Sequence, residues 1–308
     1  MLQACDLGHR VVVRHRTPFG PTDVLGQLTA LDSDRLVVRT ESGDEREIRR
    51  ADVIAGKPVP DRPARYSEII ALEGIANRAW LAPEIDHLGD WLLRAAEGWT
   101  NRANSALPLG EAGVPLTEAA QVCQNWYGER GLLPKITVPL PVRRDVAGHL
   151  EATGWTAQPL VLVQTGTLAD IPTPTAAVRL REHPSQEFLA IIQARKVTLP
   201  AAAVQVMLNA PAVRFAEARS EDGTLLAIAR GAVVEDWLHL GLVEVIPEAR
   251  RQGLAKAVSA ALADWARELG ATRAVLQVEA HNESAVGLYE QLGFHTHHTY
   301  ITYHRAIH

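Results

Sequence analysis

The sequence lacks the features that mark secreted, metal-binding and membrane proteins. Its 308 residues include only two cysteines, Cys5 and Cys123, which lie far apart and without the spacing of metal ligands. This excludes a framework of disulfides and a cysteine-based zinc site, and it fits a reducing compartment. The chain shows no basic segment followed by an apolar run at its start, and no uninterrupted apolar stretch of about 18 residues. We therefore expect a cytoplasmic protein with no membrane partner and no metal site.

An excess of basic charge is also missing. Lys and Arg total 31 against 36 Asp and Glu, which gives a formal net charge of -5 and a pI near 6.2. Two short basic patches, at 10–16 and 46–50, lie among strand-like residues or beside acids, so we interpret them as solvated strand faces. This balance argues against nucleic acid or an anionic membrane as a partner.

Short strand-like segments fill the first 60 residues. Apolar segments within residues 7–57 are separated by the turn-forming residues Pro, Gly, Asp and Ser. This spacing is typical of a small antiparallel β-barrel. The proline-rich stretch 57–63 can propagate neither a strand nor a helix. It predicts a linker after a first domain at 1–60.

The rest of the chain mixes helical and strand periodicities, which predicts an α/β layout. A second proline-marked break divides it, and we expect one domain at 64–169 and another at 175–308. The last domain is predicted to run strand, helix, helix, two or three strands, helix, strand, helix, strand. Its long helix, 252–269, carries one apolar stripe that includes its last residue, and Gly270 follows where a left-handed C-terminal cap belongs.

A strand, a tight turn and the start of a helix follow one another at 243–255, in the run Val-Glu-Val-Ile-Pro-Glu-Ala-Arg-Arg-Gln-Gly-Leu-Ala. The free N–H groups of a first helical turn and the helix dipole suit a pyrophosphate. Gly253 and Ala255 are small enough to let phosphates approach the backbone, and Arg250 and Arg251 add charge-assisted contacts. This stretch predicts an anion site.

The same stretch resembles the cofactor signature of the GNAT acetyltransferases. Arg250-x-x-Gly253-x-Ala255 follows a Val-x-Val strand, with Ala255 where glycine is commoner. Alone, this pattern is also typical of a capped surface helix. A second family pattern follows a predicted strand at the distance that the family requires: Asn282-x-x-Ala285-x-x-Leu288-Tyr289-x-x-Leu292-Gly293-Phe294. The resemblance covers 176–308 and implies a mixed-sheet N-acetyltransferase that uses acetyl-CoA as cosubstrate.

The resemblance also implies which residues bind acetyl-CoA. The backbone of Val243 and Val245 would pair with the pantetheine arm, and Asn282 would hydrogen-bond to it. The amides of 251–256 would hold the pyrophosphate. The cofactor-binding residues predicted in this way are Val243, Glu244, Val245, Arg250, Arg251, Gln252, Gly253, Leu254, Ala255, Lys256, Asn282 and Tyr289.

Two catalytic residues follow from the resemblance. Tyr289 matches the tyrosine whose hydroxyl protonates the leaving CoA thiolate in many relatives, and a core tyrosine is the alternative. His239 is the candidate base because relatives place a Glu or His at this position. Strand alternation puts it on the face of Gly241 and Val243, and the ordinary histidine pKa suits a base at neutral pH. A strand histidine at a sheet edge is the alternative.

Other groups could act as the base. Glu244 faces away from His239 by alternation, unless a β-bulge reverses the parity. Further candidates are Glu279, Glu235, Asp236 and a relayed water. Since neither cysteine lies in the cofactor segment, we expect a sequential ternary complex rather than an acetyl-cysteine intermediate.

The remaining regions give weaker signals. The stretch 64–169 repeats the order of elements but lacks the cofactor turn, so we interpret it as a degenerate GNAT-like domain. The N-terminal barrel resembles the SH3-like domains of some actinobacterial GNAT proteins. The tryptophans of the middle region, Trp91, Trp99 and Trp126, either line a substrate cleft or belong to the core. The terminal histidines alternate without Cys or carboxylate partners, which predicts a solvated face rather than a metal site: His295, His297 and His298.

Three functions stay open at this point: an N-acetyltransferase, a regulatory module that binds acetyl-CoA without turnover, and a nucleotide-binding enzyme of the Rossmann type. The last is disfavoured because the sequence has no G-x-G-x-x-G string. The acceptor is expected to be a primary amine on a small molecule or a protein. Its pocket would be built from variable loops and the helices at about 185–210. We expect a monomer or a homodimer.

Overall fold

The computed structural model describes residues 2–3, 6–40, 42–59, 62–174, 176–195 and 199–306. Cys5 lies outside these described residues. The chain forms two compact units, Met1–Pro63 and Ala64–His308. The division falls at the end of the proline-rich stretch 57–63.

The first unit is built from antiparallel strands. They are β1 (Arg10–Thr17), β2 (Gly20–Leu31), β3 (Arg35–Thr40), β4 (Glu45–Arg49) and β5 (Val53–Pro58), in the order β4-β3-β2-β1-β5. Val11, Leu28 and Val38 form part of its core. The predicted strands are confirmed, whereas the assignment of Lys57 and Pro58 to the linker was wrong. They pair with β1 at the end of β5, where a proline is tolerated on an edge strand.

The second unit contains the remaining helices and strands. The helices are α1 (Tyr66–Ala79), α2 (Leu116–Glu129), α3 (Arg144–Ala152), α4 (Gln186–Arg195), α5 (Ala201–Leu208), α6 (Leu254–Glu268) and α7 (Glu283–Glu290). The strands are β6 (Glu84–Leu88), β7 (Trp91–Ala95), β8 (Leu107–Pro108), β9 (Lys135–Leu140), β10 (Thr156–Ala157), β11 (Val161–Thr167), β12 (Val178–Arg181), β13 (Ala212–Arg219), β14 (Leu225–Val234), β15 (Trp237–Val245), β16 (Arg273–Glu279) and β17 (His295–His304). From β12 onward the order is the one predicted.

One mixed sheet of nine strands organises this unit. Its order is β10-β17-β11-β16-β15-β14-β13-β12, with β9 paired to β17. The strand β11 precedes the break that was predicted at 169–175, yet it lies between β16 and β17, which follow that break. The sheet is therefore continuous across the break, and the assignment of 64–169 as a degenerate domain stays a prediction.

Helices cover both faces of the sheet. On one face, α6 buries Val258 and Leu262 against the strands, as its apolar stripe predicts. Leu269, expected in that stripe, is 51% exposed because α6 ends at Glu268 and Gly270, with a φ of +84°, caps it. The other face packs against side chains of α1, α4 and α5. Trp91, Trp99 and Trp126 are buried, so they belong to the core.

The solvated face predicted for the terminal histidines was wrong for His298. This residue is 5% exposed, and its Nε2 lies 2.8 Å from Oε1 of Glu73 on α1. The reason is that β17 lies inside the sheet, so alternate side chains face α1 rather than water. Among the described residues, no three His, Cys, Asp or Glu side chains converge as metal ligands do. The described helices also include none with the length and apolarity needed to span a membrane.

Candidate active site

The site begins where two parallel strands part. β15 and β16 pair only from Trp237 to His239 and then diverge. On its other edge, β15 shifts register against β14: Glu244 pairs with Ile228, but Gly241 pairs with Arg230. This shift is a β-bulge, at which Leu242 takes a φ of +52°. The second half of β15 is thereby freed from β16 and exposes backbone groups along a gap.

A cleft of about 1270 Å³ occupies this gap. One wall is formed by the end of β15 and the two residues that follow it, 243–247, and α4 contributes Ile191 and Ala194. The turn before α6 and the start of α7 close the remaining sides. Of the predicted cofactor-binding residues, the cleft is lined by Val243, Glu244, Val245, Arg250, Arg251, Gly253, Leu254, Ala255, Lys256, Asn282 and Tyr289.

The turn between β15 and α6 has the conformation of an anion cradle. Arg251 has a φ of +62° and Gly253 a φ of +77°, so the backbone passes twice through the left-handed region before α6 begins at Leu254. The N–H groups of a first helical turn have no acceptor inside the helix. Here they open onto the cleft, beside the exposed Arg250 and Arg251. The arrangement suits a phosphate or pyrophosphate.

Gln252 does not line the cleft, although it was predicted to bind the cofactor. Its Nε2 lies 3.5 Å from the carbonyl oxygen of Glu248, so the side chain folds back onto the preceding turn. Lys256 is held in place by a hydrogen bond of 2.6 Å from its Nζ to Oε1 of Gln291, on the far side of the cleft mouth.

The opposite wall carries Asn282 and Tyr289. Oδ1 of Asn282 accepts a hydrogen bond of 3.2 Å from the amide of Ala285 and caps α7. Tyr289 is 8% exposed and packs edge-on against Phe294, with ring centroids 5.9 Å apart. Burial raises the pKa of Tyr289 to about 12. With this pKa the hydroxyl stays protonated at neutral pH. In the described part of the chain it makes no hydrogen bond, so it is available to the cleft.

The structure places His239 away from the cleft, so its assignment as the base stays a prediction that these observations do not favour. His239 is 0% exposed and does not line the cleft. Burial lowers its pKa to about 3, with the nearby Arg102 and Arg230 adding to the effect. Its Nε2 donates to Oε1 of Gln277 at 2.9 Å. A neutral, buried imidazole with this pKa cannot hold a proton taken from an amine.

The β-bulge explains why the strand face expected for Val243 was wrong. Val243 and Val245 pack on the α6 side of the sheet, whereas His239 lies beside Trp80 on the other side, with ring centroids 6.2 Å apart. Glu244 is paired with Ile228, which belongs to the core on the Trp80 side, and directly paired residues share a face. The bulge therefore places Glu244, not Val243, on the face of His239.

Among the candidate bases named from the sequence, Glu244 alone lines the cleft. Glu235 is paired with Arg78 at 2.5 Å, and Asp236 accepts two hydrogen bonds from Arg273, both of 2.8 Å. Glu279 is exposed beside His281, at 3.3 Å.

Sequence reasoning missed three residues at the parting of the strands: Trp80, Arg102 and Gln277. Nε2 of His239 and Nη1 of Arg102 both donate to Oε1 of Gln277. A signal for Gln277 exists, since it is a polar residue inside the apolar strand 274–278. Trp80 follows the end of α1, and Arg102 lies on the loop between β7 and β8, where no periodicity marks them.

Known structures agree with this architecture. A GCN5-related N-acetyltransferase from Kribbella flavida superposes with a TM-score of 0.59 at 16% identity, over 78% of this chain and 96% of that chain. A tandem GNAT protein from the clavulanic acid biosynthesis pathway gives a TM-score of 0.52 at 12% identity, over 79% of this chain and 90% of that chain. At these identities the likeness shows the fold alone, which is the GNAT fold.

The family is narrower than the fold. The chain belongs to the family described as the C-terminal part of probable histone acetyltransferase Rv0428c, whose model matches residues 66–303. The Rv0428c N-terminal Sm-like domain matches residues 5–57, which is compatible with the SH3-like barrel expected there. Probable histone acetyltransferase Rv0428c of Mycobacterium tuberculosis is 32% identical over 95% of this chain and 93% of its own length. The protein is an acetyltransferase of the GNAT type.

Proposed function

We propose that the protein transfers an acetyl group from acetyl-CoA to a primary amine, by direct attack within a ternary complex. The observation that carries the proposal is the turn at 250–256, whose two left-handed residues aim the first amides of α6 into the cleft between the parted strands. A pyrophosphate suits this turn because its charge meets N–H groups, the helix dipole and two exposed arginines.

The parted strands supply the rest of the donor site. Beyond His239, the edge of β15 that faces β16 pairs with no strand among the described residues, so the backbone of Val243 and Val245 can bind the amide-bearing pantetheine arm as an added strand would. Asn282 keeps its side-chain amide nitrogen for the same arm, since only its Oδ1 is used in capping α7. The thioester then lies toward the parting point of the strands.

Transfer requires one bond to form and one to break. The amine nitrogen attacks the thioester carbon, the C–N bond forms, and the C–S bond breaks with its electron pair leaving on sulfur. Tyr289 is protonated at neutral pH, and its hydroxyl donates the proton that converts the departing thiolate into a thiol. When the amide forms, the nitrogen gives up its second proton to solvent in the cleft, and solvent returns one proton to Tyr289.

The attacking amine must first lose a proton, because an ammonium has no lone pair. We assign this step to Glu244, which the β-bulge turns onto the acceptor face of β15 and which lines the cleft. His239 keeps a different role: its neutral ring and Gln277 fix the point at which the two strands part. A carboxylate that collects the proton directly or through one water fits general-base catalysis.

A screen for release of free CoA thiol tests the proposal. Purified protein, acetyl-CoA and one amine at a time would be combined, across amino acids, polyamines, aminoglycosides and lysine peptides. We expect thiol release that depends on both the protein and an amine. If acetyl-CoA binds but no amine supports turnover, the protein is a sensor of acetyl-CoA rather than an enzyme with an amine acceptor.

A further inference from the structure

A cluster of arginines lies on the acceptor face of the sheet, beside the point where β15 and β16 part. Arg102 donates to Oε1 of Gln277, and its Nη1 lies 3.4 Å from Nε2 of His239. Arg102 and Arg230 both pack on the ring of Trp80, with their Cζ atoms 5.0 and 4.8 Å from its centroid. The loop between β7 and β8 thus delivers a guanidinium to the proposed reaction centre.

The charge of Glu73 acts on Arg94 and Arg102, but one carboxylate cannot balance the three guanidinium groups of this cluster. Arg230 is 0% exposed, and among the residues that the structure describes it donates only to carbonyl oxygens, those of Met207 and Ala79. Arg94, also buried, donates to Ser105 and Asn77. Within the described part of the chain, neither of these arginines nor Arg102 forms an ion pair with a carboxylate. Buried charges are ordinarily paired, because removing them from water is costly.

Two further observations point to a missing anion. Nη1 of Arg230 is buried without a hydrogen-bond partner in the structure, and burial together with Arg102 lowers the pKa of Arg230 to about 9. Of the described residues, Glu73 is the one carboxylate that lines the small cavity next to Arg94 and Arg102. It is held by His298 at 2.8 Å, and among the described residues it forms no direct ion pair with either guanidinium, although its charge acts on both.

The cavity indicates the size of the missing group. It has a volume of about 10 Å³ and is lined by Asn77, Arg94, Arg102, Thr137 and Tyr300 among others. A space of this size holds roughly one water-sized atom. It therefore fits one oxygen of a carboxylate better than the three oxygens of a phosphate. Arg102 is half-buried as a whole residue, and it lines this small cavity rather than the cleft.

We propose that the amine acceptor carries a carboxylate and that Arg102 binds it. This inference rests on the proposed N-acetyl transfer and names the acceptor class for that same site. A carboxylate on Arg102 lies beside Gln277 and His239, at the point toward which the donor arm runs. The middle region of the chain, which lacks a cofactor turn, thus contributes the residue that selects the acceptor.

The test compares acceptors that differ only in this carboxylate. One arm uses free amino acids and their amides. The second arm uses short peptides with a free N-terminus and Asp or Glu next to it, against the same peptides with Asn or Gln. The two arms separate a free amino acid from an acidic peptide as the source of the carboxylate. Amidation lowers the basicity of the neighbouring amine, so a preference for the acid cannot arise from a larger fraction of neutral amine.

Wild-type protein is expected to prefer the acid over the amide by at least about 10-fold in kcat/KM in one of the two arms, the range of a charge-assisted hydrogen bond. Arg102→Gln should abolish this preference, with Arg102→Lys in between. The matched control is Arg179→Gln, which removes the same charge from an exposed position on β12 and should keep the preference.

The outcomes distinguish this inference from the function on which it rests. If amides and neutral peptides react as well as their acids in the wild-type protein, the inference is overturned while N-acetyl transfer stands. Turnover only with amines that carry no carboxylate, such as polyamines, also overturns the inference and leaves N-acetyl transfer standing. Absence of turnover with every amine overturns the proposed function itself. The wild-type comparison does not depend on the folding of any variant.

Discussion

Nε2 of His239 lies 2.9 Å from Oε1 of Gln277, across the point where β15 and β16 stop pairing. Because the amide oxygen can only accept, Nε2 carries the proton, and Nδ1 is left buried without a partner. The bond joins the two strands whose divergence forms the cleft. A histidine that was expected to take part in chemistry instead closes the inner end of the cleft in its neutral form.

This arrangement predicts a dependence of stability on pH. The pKa of His239 is lowered from 6.5 to about 3, so the unfolded chain binds the proton first as the pH falls. The contribution of the neutral His239 to the free energy of unfolding is present above pH 6.5 and is lost as the pH falls toward 3. Between pH 7 and pH 5 the free energy of unfolding should fall by about 2 kcal/mol more in the wild type than in His239→Gln.

Urea unfolding followed by tryptophan fluorescence measures this difference. All seven tryptophans lie after residue 63, so the signal reports on the second unit alone. The other histidines contribute equally to both proteins and cancel in the comparison. Equal pH dependence in the wild type and the variant would mean that His239 is not held neutral in the folded state.

Tyr289→Phe tests the acid. Removing the hydroxyl should lower kcat by about 100-fold or more, the range for loss of a general acid. The dissociation constant for acetyl-CoA should stay within about 3-fold, because the ring that lines the cleft is kept. Since the pKa of Tyr289 is about 12, kcat of the wild type should not decline between neutral pH and about pH 10 through its ionisation. If kcat is unchanged in Tyr289→Phe, the hydroxyl is not the acid and Tyr289 serves only in packing.

Two glycines at opposite ends of α6 make a matched pair. Gly253 and Gly270 have φ values of +77° and +84°, and neither would place a Cβ atom within 4 Å of a neighbour. Replacing either with alanine costs about 1 kcal/mol through backbone strain alone. Gly253→Ala should also weaken acetyl-CoA binding by about 10-fold or more, because the amides of the cradle are displaced. Gly270→Ala should lose stability but bind normally, and equal binding by both variants would contradict the cradle.

Glu244→Gln tests the proposed base. The variant should lower kcat/KM at neutral pH by about 100-fold with little change in acetyl-CoA affinity. Glu235→Gln is the control, because that carboxylate pairs with Arg78 at the surface and should change kcat/KM by less than about 2-fold. Steady-state kinetics with one acceptor decide the matter. If Glu244→Gln has the same kinetics as the control Glu235→Gln, Glu244 is not the base, and a relayed water takes the proton instead.

The donor half of the site could be predicted from the sequence because it is local. The turn that ends β15 and opens α6 is one contiguous stretch, and its Arg, Gly and Ala spacing reflects its own backbone geometry. The same holds for α7, where Asn282 caps the helix that carries Tyr289. The fold from β12 to β17 was predictable for the same reason, as strong periodicity fixes each element.

The acceptor half was not predictable, since it depends on tertiary structure. A single bulge at Leu242 shifts strand parity by one residue and exchanges the faces expected for Val243 and Glu244. Arg102 reaches Gln277 across 175 positions of the chain. His298 was expected in water because no sequence pattern shows that β17 lies between other strands. No spacing of residues along the sequence marks these relationships.

Calorimetric titration of the 308-residue chain with acetyl-CoA tests the central claim most directly. The account predicts binding at one site per chain, with a dissociation constant between about 1 µM and 1 mM, the range in which enzymes bind their substrates. It also predicts that Gly253→Ala weakens this binding while Gly270→Ala does not. A titration without detectable binding up to about 1 mM acetyl-CoA would contradict the account.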